Sequence, residues 1–371
     1  MTEFAPARSG WHLPSGLAAL PGMGKLHRLP DTRDILRRRR FDPLRAAFYD
    51  TLWREAANAI GAQHAHASQG FHRIARGGLV TYTRGSDLML DNAITLTLVA
   101  DKLYCYGLFA ARGLPVPPHR AFAKSDPASA LAFLAEVAAP VVVKPIRGTG
   151  GGRGVTTGIT DPQALRRAIR RAARFGHDLL IEAQIPGASY RLYYLDGALI
   201  DAVRRDPPEL TGDGRSSLRQ LVRSENHRRL MAAEPTALSP LVIDADMRNW
   251  LALTGRRLSS VPASGARIPV KAVVNENAAP QNHNVLSEVH PDIAARLGRL
   301  VRDIGVRAAG MDLIATGIGQ PFEAGGIYVS EINANPGLHH HVLVADPASA
   351  VPVARIALDY MFANRTGVMQ E

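Results

Sequence analysis

The sequence predicts a mixed α+β protein rich in antiparallel hairpins. Three observations carry that reading. Runs rich in β-branched residues, such as "VVVK" at 141–144 and "GLVTYTR" at 78–84, alternate with segments whose apolar residues recur at helical spacing. "YRLYYLDGALIDAVRR" at 190–205 reads as two strands turned at Asp196-Gly197. "GMDLIAT" and "GIYVSEIN" read as strands on either side of a loop at 317–325. No internal repeat or low-complexity block interrupts the pattern.

The elements follow in chain order. Residues 1–30 read as an irregular arm. An Asp-Pro start opens a helix over 42–60, and 78–84 is a strand. Residues 93–113 read as a helical region closed by Gly113, after which "LPVPPHRAF" is an extended entry to a new unit. A helix over 126–137 and strands over 140–145 and 154–159 come next. Asp161-Pro162 starts a helix that ends at Gly176, with Leu165, Ile169, Ala172 and Ala173 inward. Residues 178–187 form a strand broken at Pro186-Gly187. Residues 215–230 and 290–309 read as helices.

The chain has 371 residues, with 21% charged and 46% hydrophobic, as in ordinary folded proteins. No apolar run reaches the length of a membrane span. Cys105 is the only cysteine, which excludes an intrachain disulfide. Residues 1–30 lack the apolar core of a secretion signal, so the expected location is the cytoplasm. The formal net charge is +11, but basic residues are dense only at 37–40 and 166–175. Without aromatic residues interleaved, this argues against a nucleic-acid platform. It suits acidic small ligands instead. Arginine dominates the basic residues, which makes the few lysines informative: Lys25, Lys102, Lys124, Lys144 and Lys271.

Two stretches carry candidate chemistry. In "VVVKPIRGTGGGRGVTTGIT" (141–160), a strand ends at Lys144 and a glycine cluster joins it to a second strand. Glycines let backbone N–H groups approach an anion without Cβ clashes. The lysine precedes the glycines, so this is neither a Walker loop nor a dinucleotide fingerprint. It reads either as a flap closing over nucleotide phosphates or as a plain flexible hairpin. In "SEINANPG" (330–337), Glu331 and Asn333 share one strand face, while Ile332 points to the other. Asp312, with Met311 and Leu313 inward, sits on the neighbouring expected strand. Together these make a hard oxygen site suited to Mg²⁺, or else ordinary edge-strand polarity. The turn at Asn335-Pro336-Gly337 could aim backbone amides at a reacting group.

Lys102 in "ADKLYCYGLFAARGLPVP", Lys144 before the glycines, "LIEAQIPG", and Asp312 with "EINANPG" occur in the order of the ATP-grasp carboxylate–amine ligases. The sequence resembles that superfamily over roughly residues 93–345. Within it, "IPGASYRLYYLDGALIDAVRRDPPELTGDGRSSLRQLV", "SSVPASGARIPVK" and "EVHPD" look like the ATP-grasp half of cyanophycin synthetases. The resemblance implies an ATP-grasp fold: two α+β subdomains clasping ATP, preceded by an N-terminal domain. The expected division is 1–92, 93–188 and 189–365, the last with the metal site.

Lys102 and Lys144 would contact ATP phosphates. Gly148, Gly150, Gly151, Gly152 and Gly154 would form the flap. Glu182, Gln184 and Ile185 would border the adenine, and Ser189 stands where the family has an acidic residue for the ribose. Arg191 and Arg205 would hold the acyl substrate or phosphoryl group. Lys271 falls where the family has an arginine, and Asn275 where it has an asparagine. Lys271, Asn335 and Gly337 are carried with the catalytic set. Asp312, Glu331 and Asn333 would bind Mg²⁺ or Mn²⁺, two ions in all.

The implied activity is ATP-dependent amide ligation through an acyl phosphate, releasing ADP. The substrates would be a carboxylate and an amine, amino acids or a short peptide, with no membrane partner; a homo-oligomer is compatible with this. The alternative is a nucleotide-binding regulatory protein without ligase activity. Two departures motivate it: Ser189, and "NENAAPQNHN" (275–284) in place of the family's "NLSTGG". The reading expects one ATP-grasp unit and no second ligase half. In the internal "HHH" at 339–341, His341 aligns with a family histidine near the reaction centre. His339 and His340 read as pocket or solvent residues, because three consecutive side chains cannot all face one metal in regular structure.

Overall fold

The computed structural model describes residues 32–147 and 152–371. The expected arm at 1–30 and Gly148, Gly150 and Gly151 lie outside the described residues. Helices α1 (Thr32–Arg39) and α2 (Asp42–Ala59) come first. Pro43 occupies the first turn of α2, where its missing N–H costs nothing. One face of α2 buries Tyr49, Trp53, Ala56 and Ala57. That helix packs against an antiparallel sheet of β1 (Gln63–His66), β2 (His72–Arg76), β3 (Leu79–Arg84) and the short β4 (Asp87–Leu88).

The apolar run at 93–113 is not one continuous helix. It divides into α3 (Ala93–Val99) and α4 (Lys102–Ala111), bent by 83°. Asp101 causes the break: it leaves helical geometry and accepts hydrogen bonds from the backbone N–H groups of Leu103 and Tyr104. Lys102 therefore opens α4. Among the described residues no single helix is long and apolar enough to cross a membrane.

A second antiparallel sheet contains β5 (His119–Ala123), β6 (Val141–Pro145), β7 (Thr156–Ile159) and β8 (Asp178–Ala183), in the order β5-β8-β6-β7. Helices α5 (Pro127–Glu136) and α6 (Pro162–Ala172) pack against it through Phe133, Leu165 and Ile169. β6 is buried at all five positions, which is why it reads as an unbroken apolar run.

The third sheet begins with the hairpin β9 (Ala188–Leu195) and β10 (Ala198–Arg205). Asp196 and Gly197 turn it with φ of 50° and 77°, the conformation that two-residue hairpin loops require. A satellite unit follows: β11 (Glu209–Thr211), α7 (Leu218–Met231), α8 (Ala245–Leu253) and β12 (Arg267–Pro269) around its own small core. Then come β13 (Asn282–Asn284), α9 (Pro291–Ile304), β14 (Ala308–Ala315) and β15 (Ile327–Ala334). The sheet order is β13-β10-β9-β14-β15. α9 stops earlier than its periodicity suggests, because Gly305 caps it at φ 77° and β14 starts at Ala308.

The chain closes with α10 (His339–Val342), α11 (Val353–Ala363) and β16 (Met369–Gln370). β16 pairs with β3, and α11 packs on α2, so residues such as Trp53, Leu358 and Met361 share one core. The cleft lies where the second and third sheets meet.

Candidate active site

One cavity of about 580 Å³ is walled by β6 and β8 on one side and by β9, β10, β14 and β15 on the other. Lys144, Glu182, Gln184 and Ile185 line it from the second sheet. Ser189, Arg191, Arg205, Asp312, Glu331 and Asn333 line it from the third, and Lys102 from the start of α4.

On the second-sheet side, Lys144 is buried but not isolated. Its Nζ lies 2.8 Å from Glu182 Oε1 and donates to the Tyr106 hydroxyl at 3.3 Å. That hydroxyl donates in turn to Glu182 Oε2 at 2.9 Å. Burial, then the adjacent Glu182, push the Tyr106 phenol well above its ordinary pKa, so it stays a donor. Gln184 holds the neighbouring strand by accepting from the Gly158 N–H at 2.7 Å. At the edge of the glycine loop, Gly152 has φ 70°, and a Cβ there would lie 2.1 Å from Asn275 Nδ2. That φ suits glycine, and Gly152 lies against the Asn275 side chain. Gly154 turns the chain behind it at φ 79°.

On the third-sheet side, strand register assembles the acidic group. Asp312 faces Glu331 across β14–β15 and Arg191 across β14–β9. Asn333, two residues after Glu331, donates to Asp312 Oδ2 at 3.3 Å. Met311, Leu313 and Ile332 point the other way into the core. Arg191 grips Asp312 with two parallel bonds of 2.7 and 2.6 Å. Burial opposes the Arg191 charge, but Asp312 more than offsets it and the guanidinium pKa is raised. Lys102 lies 2.9 Å from Glu331.

Arg205 differs. It is 2% exposed, at the end of β10 opposite Ser189. Its hydrogen bond is a long one, from Nη2 to the Val274 carbonyl at 3.4 Å, and its buried Nε has no partner. Among the described residues it makes no ion pair. Burial and then Arg191 push its pKa down to about 9. Asp312 and Glu331 offset part of this, but a buried guanidinium without an ion-pair partner remains costly, which leaves this corner of the cavity able to take an anion. His339 and His340 border the same cavity. Burial and then Arg205 lower both, His339 to about 3, so neither adds positive charge near neutral pH.

Other residues from the sequence reading lie elsewhere. Lys271 is 1% exposed and is held by Asp244 at 2.8 Å and Glu276 at 2.7 Å, outside the cavity lining. Asn335 adopts φ 49° and accepts from the Leu88 N–H, tying the turn to the first sheet. A Cβ on Gly337 would meet the His339 ring at 2.6 Å, so this glycine makes room for that ring. His341 is fully buried, 2.7 Å from Asp201. Cys105 is buried, and that burial pushes its thiol up to about 12, which removes it as a nucleophile.

Sequence reasoning missed Tyr106, Arg38 and Arg45. Tyr106 sits on an apolar helix stripe, where an aromatic reads as core. Arg38 and Arg45 reach the cavity from α1 and α2, and Arg38 also pairs with Glu276 at 2.9 Å. The arginine run at 37–40 was visible as charge density, but no spacing rule links it to the cleft.

No family model matches the chain. It is 28% identical over 292 residues to the cyanophycin synthetase of Trichormus variabilis, covering 77% of this chain and 32% of that protein. It is 25% identical over 298 residues to the glutathione biosynthesis bifunctional protein GshAB of Desulfotalea psychrophila, covering 78% of this chain and 38% of that one. The chain thus spans about a third of the length of these relatives. Among solved structures, the bifunctional glutathione synthetase of Pasteurella multocida superposes with a TM-score of 0.52 at 20% identity, covering 82% of this chain and 42% of that one. The chain carries the ATP-grasp fold and is a sequence relative of the cyanophycin synthetases over the part they share.

Proposed function

We propose that this chain is an ATP-dependent carboxylate–amine ligase that forms an amide bond through an acyl phosphate, releasing ADP and phosphate. The observation that carries the reading is Arg205, a buried cation without an ion-pair partner among the described residues. It opens on the same cavity as Lys144 and the acidic group. Lys144 and Lys102 would hold the triphosphate, and Glu182 to Ile185 would border the base. Arg205 would take the substrate carboxylate or the transferring phosphoryl group.

Asp312 and Glu331 are cross-strand neighbours with hard oxygen donors, which fits Mg²⁺ or Mn²⁺. Two ions are part of the reading, with Asn333 beside the two carboxylates. When bound, the metal would supply charge neutralisation along the phosphates. Lys102 and Arg191 are already paired to Glu331 and Asp312, so the carboxylates are held in place before any ligand enters. The glycine loop, whose Gly152 lies against Asn275, would keep water from the acyl phosphate. The substrates would be amino acids or a short peptide, consistent with the named chemistry of the relatives.

The test is ADP release across a panel of amino acids and dipeptides with ATP and Mg²⁺. It is followed by hydroxylamine trapping without the amine substrate. A hydroxamate with ADP is the expected result. AMP and pyrophosphate would mean adenylation and remove the mechanism. ATP binding without turnover on any substrate, with a hydroxamate absent, would favour a nucleotide-binding regulator.

A further inference from the structure

Outside the cleft lining, four side chains with metal-ligating chemistry gather at the first sheet. His64 and His66 are two apart on β1 and share a face. His72 on β2 is the direct cross-strand partner of His66. Asp50 reaches the group from α2, which packs on this hairpin. The three imidazole rings stand 5.3, 5.5 and 5.6 Å apart, centroid to centroid.

The donor atoms are closer still. Asp50 Oδ1 is 3.2 Å from His66 Nε2 and 3.8 Å from His72 Nδ1, and His64 Nε2 is 3.1 Å from His72 Nδ1. Donors of a tetrahedral zinc site with bonds of about 2.0 Å stand about 3.3 Å apart. The observed separations bracket that spacing. Hydrogen bonding alone does not account for the group, because Asp50 Oδ1 is buried without a hydrogen-bond partner despite its two imidazole neighbours.

We infer that Asp50, His66 and His72 form a binding site for one divalent transition ion of the Zn²⁺ class, with His64 packed against His72 at its edge. Imidazole nitrogens with one carboxylate suit Zn²⁺, Co²⁺ or Ni²⁺ and not Mg²⁺, so this site would not compete for the ion proposed in the cleft. With donors from both elements, the ion would pin α2 to the β1–β2 hairpin. The inference does not depend on the ligase reading.

The test uses the full chain, stripped of metal and kept in excess Mg²⁺. Zn²⁺ is titrated in competition with a chromophoric chelator, and Co²⁺ is followed by its visible absorption. The expected results are one tight Zn²⁺ per chain, tetrahedral Co²⁺ bands and a higher Tm with Zn²⁺. His66 is 70% exposed, so His66→Gln keeps the fold, as far-UV circular dichroism would verify. It should weaken Zn²⁺ by at least about 100-fold, the upper end for loss of an outer-shell partner. Asp50→Asn should do the same. The variants leave His339 and His340 untouched. Equal Zn²⁺ affinity in wild type and His66→Gln, or Co²⁺ without tetrahedral bands in the wild type, would overturn the site.

Discussion

The β9 and β10 walls of the cleft each carry one buried arginine, one paired and one not. On β9, Arg191 is clamped to Asp312 by two short bonds. On β10, Arg205 has a buried Nε without a partner and a depressed pKa. The pair separates two uses of one residue type. Arg191 is committed to holding a carboxylate of the protein, whereas on the proposed reading Arg205 takes an anion from outside. Burial and charge are alike in the two, so neither identifies a ligand-binding arginine. The partner list does.

Substitutions can break that comparison. The largest effect expected is on stability: Arg191→Met strips Asp312 of its counter-charge and should cost about 3–5 kcal/mol in chemical denaturation. A loss under 1 kcal/mol would mean that Asp312 does not depend on the pair. Next, Arg205→Met should leave stability unchanged or raised, because it removes an uncompensated buried charge. It should lower ADP release by about 100- to 1000-fold, as for loss of one transition-state donor. If Arg205→Met unfolds the protein while Arg191→Met mainly slows turnover, the two roles are reversed.

A third test moves to an acid. Asp246 is buried, its Oδ2 has no hydrogen-bond partner, and burial, then Asp244, raise its pKa to about 6. The folded state therefore holds this proton where the unfolded chain has lost it, and stability falls as pH rises from about 4 to 6. Asp246→Asn should gain on the order of 1–3 kcal/mol at pH 7 and nothing below pH about 4. A gain that is equal at both pH values would refute the titration. The smallest effect is at Tyr106. Tyr106→Phe removes both hydroxyl hydrogen bonds, from Lys144 and to Glu182, and should weaken nucleotide binding by about 1 kcal/mol, roughly fivefold, measured by calorimetry.

Much of the scaffold was legible because period carries it. The helix over 42–60, the hairpin at Asp196-Gly197 and the alternation placing Glu331 and Asn333 opposite Ile332 are local facts. The juxtaposition of Asp312 with Glu331 needed only that two strands be neighbours. What escaped were the relations between distant elements. Tyr106 and Glu182 are 76 residues apart, and Arg38 and Glu276 are 238 apart. His64, His66 and His72 were in plain view, but their convergence depends on β1–β2 register and on Asp50 arriving from a helix. The break at Asp101 was hidden by an apolar run that continues across it. Lys271 shows the converse: scarcity drew attention to a lysine whose charge Asp244 and Glu276 already hold.

The pairing of β16 with β3 bears on how the molecule assembles. Thr81 donates to the Gly367 carbonyl across 286 residues, and β16 lies along β3 beside it. Closing so long a loop is slow, although the entropic cost grows only logarithmically with length. Until it closes, β3 offers an open edge to any other strand, including that of a second nascent copy. β16 thus shields part of the β3 edge that a second strand could otherwise use.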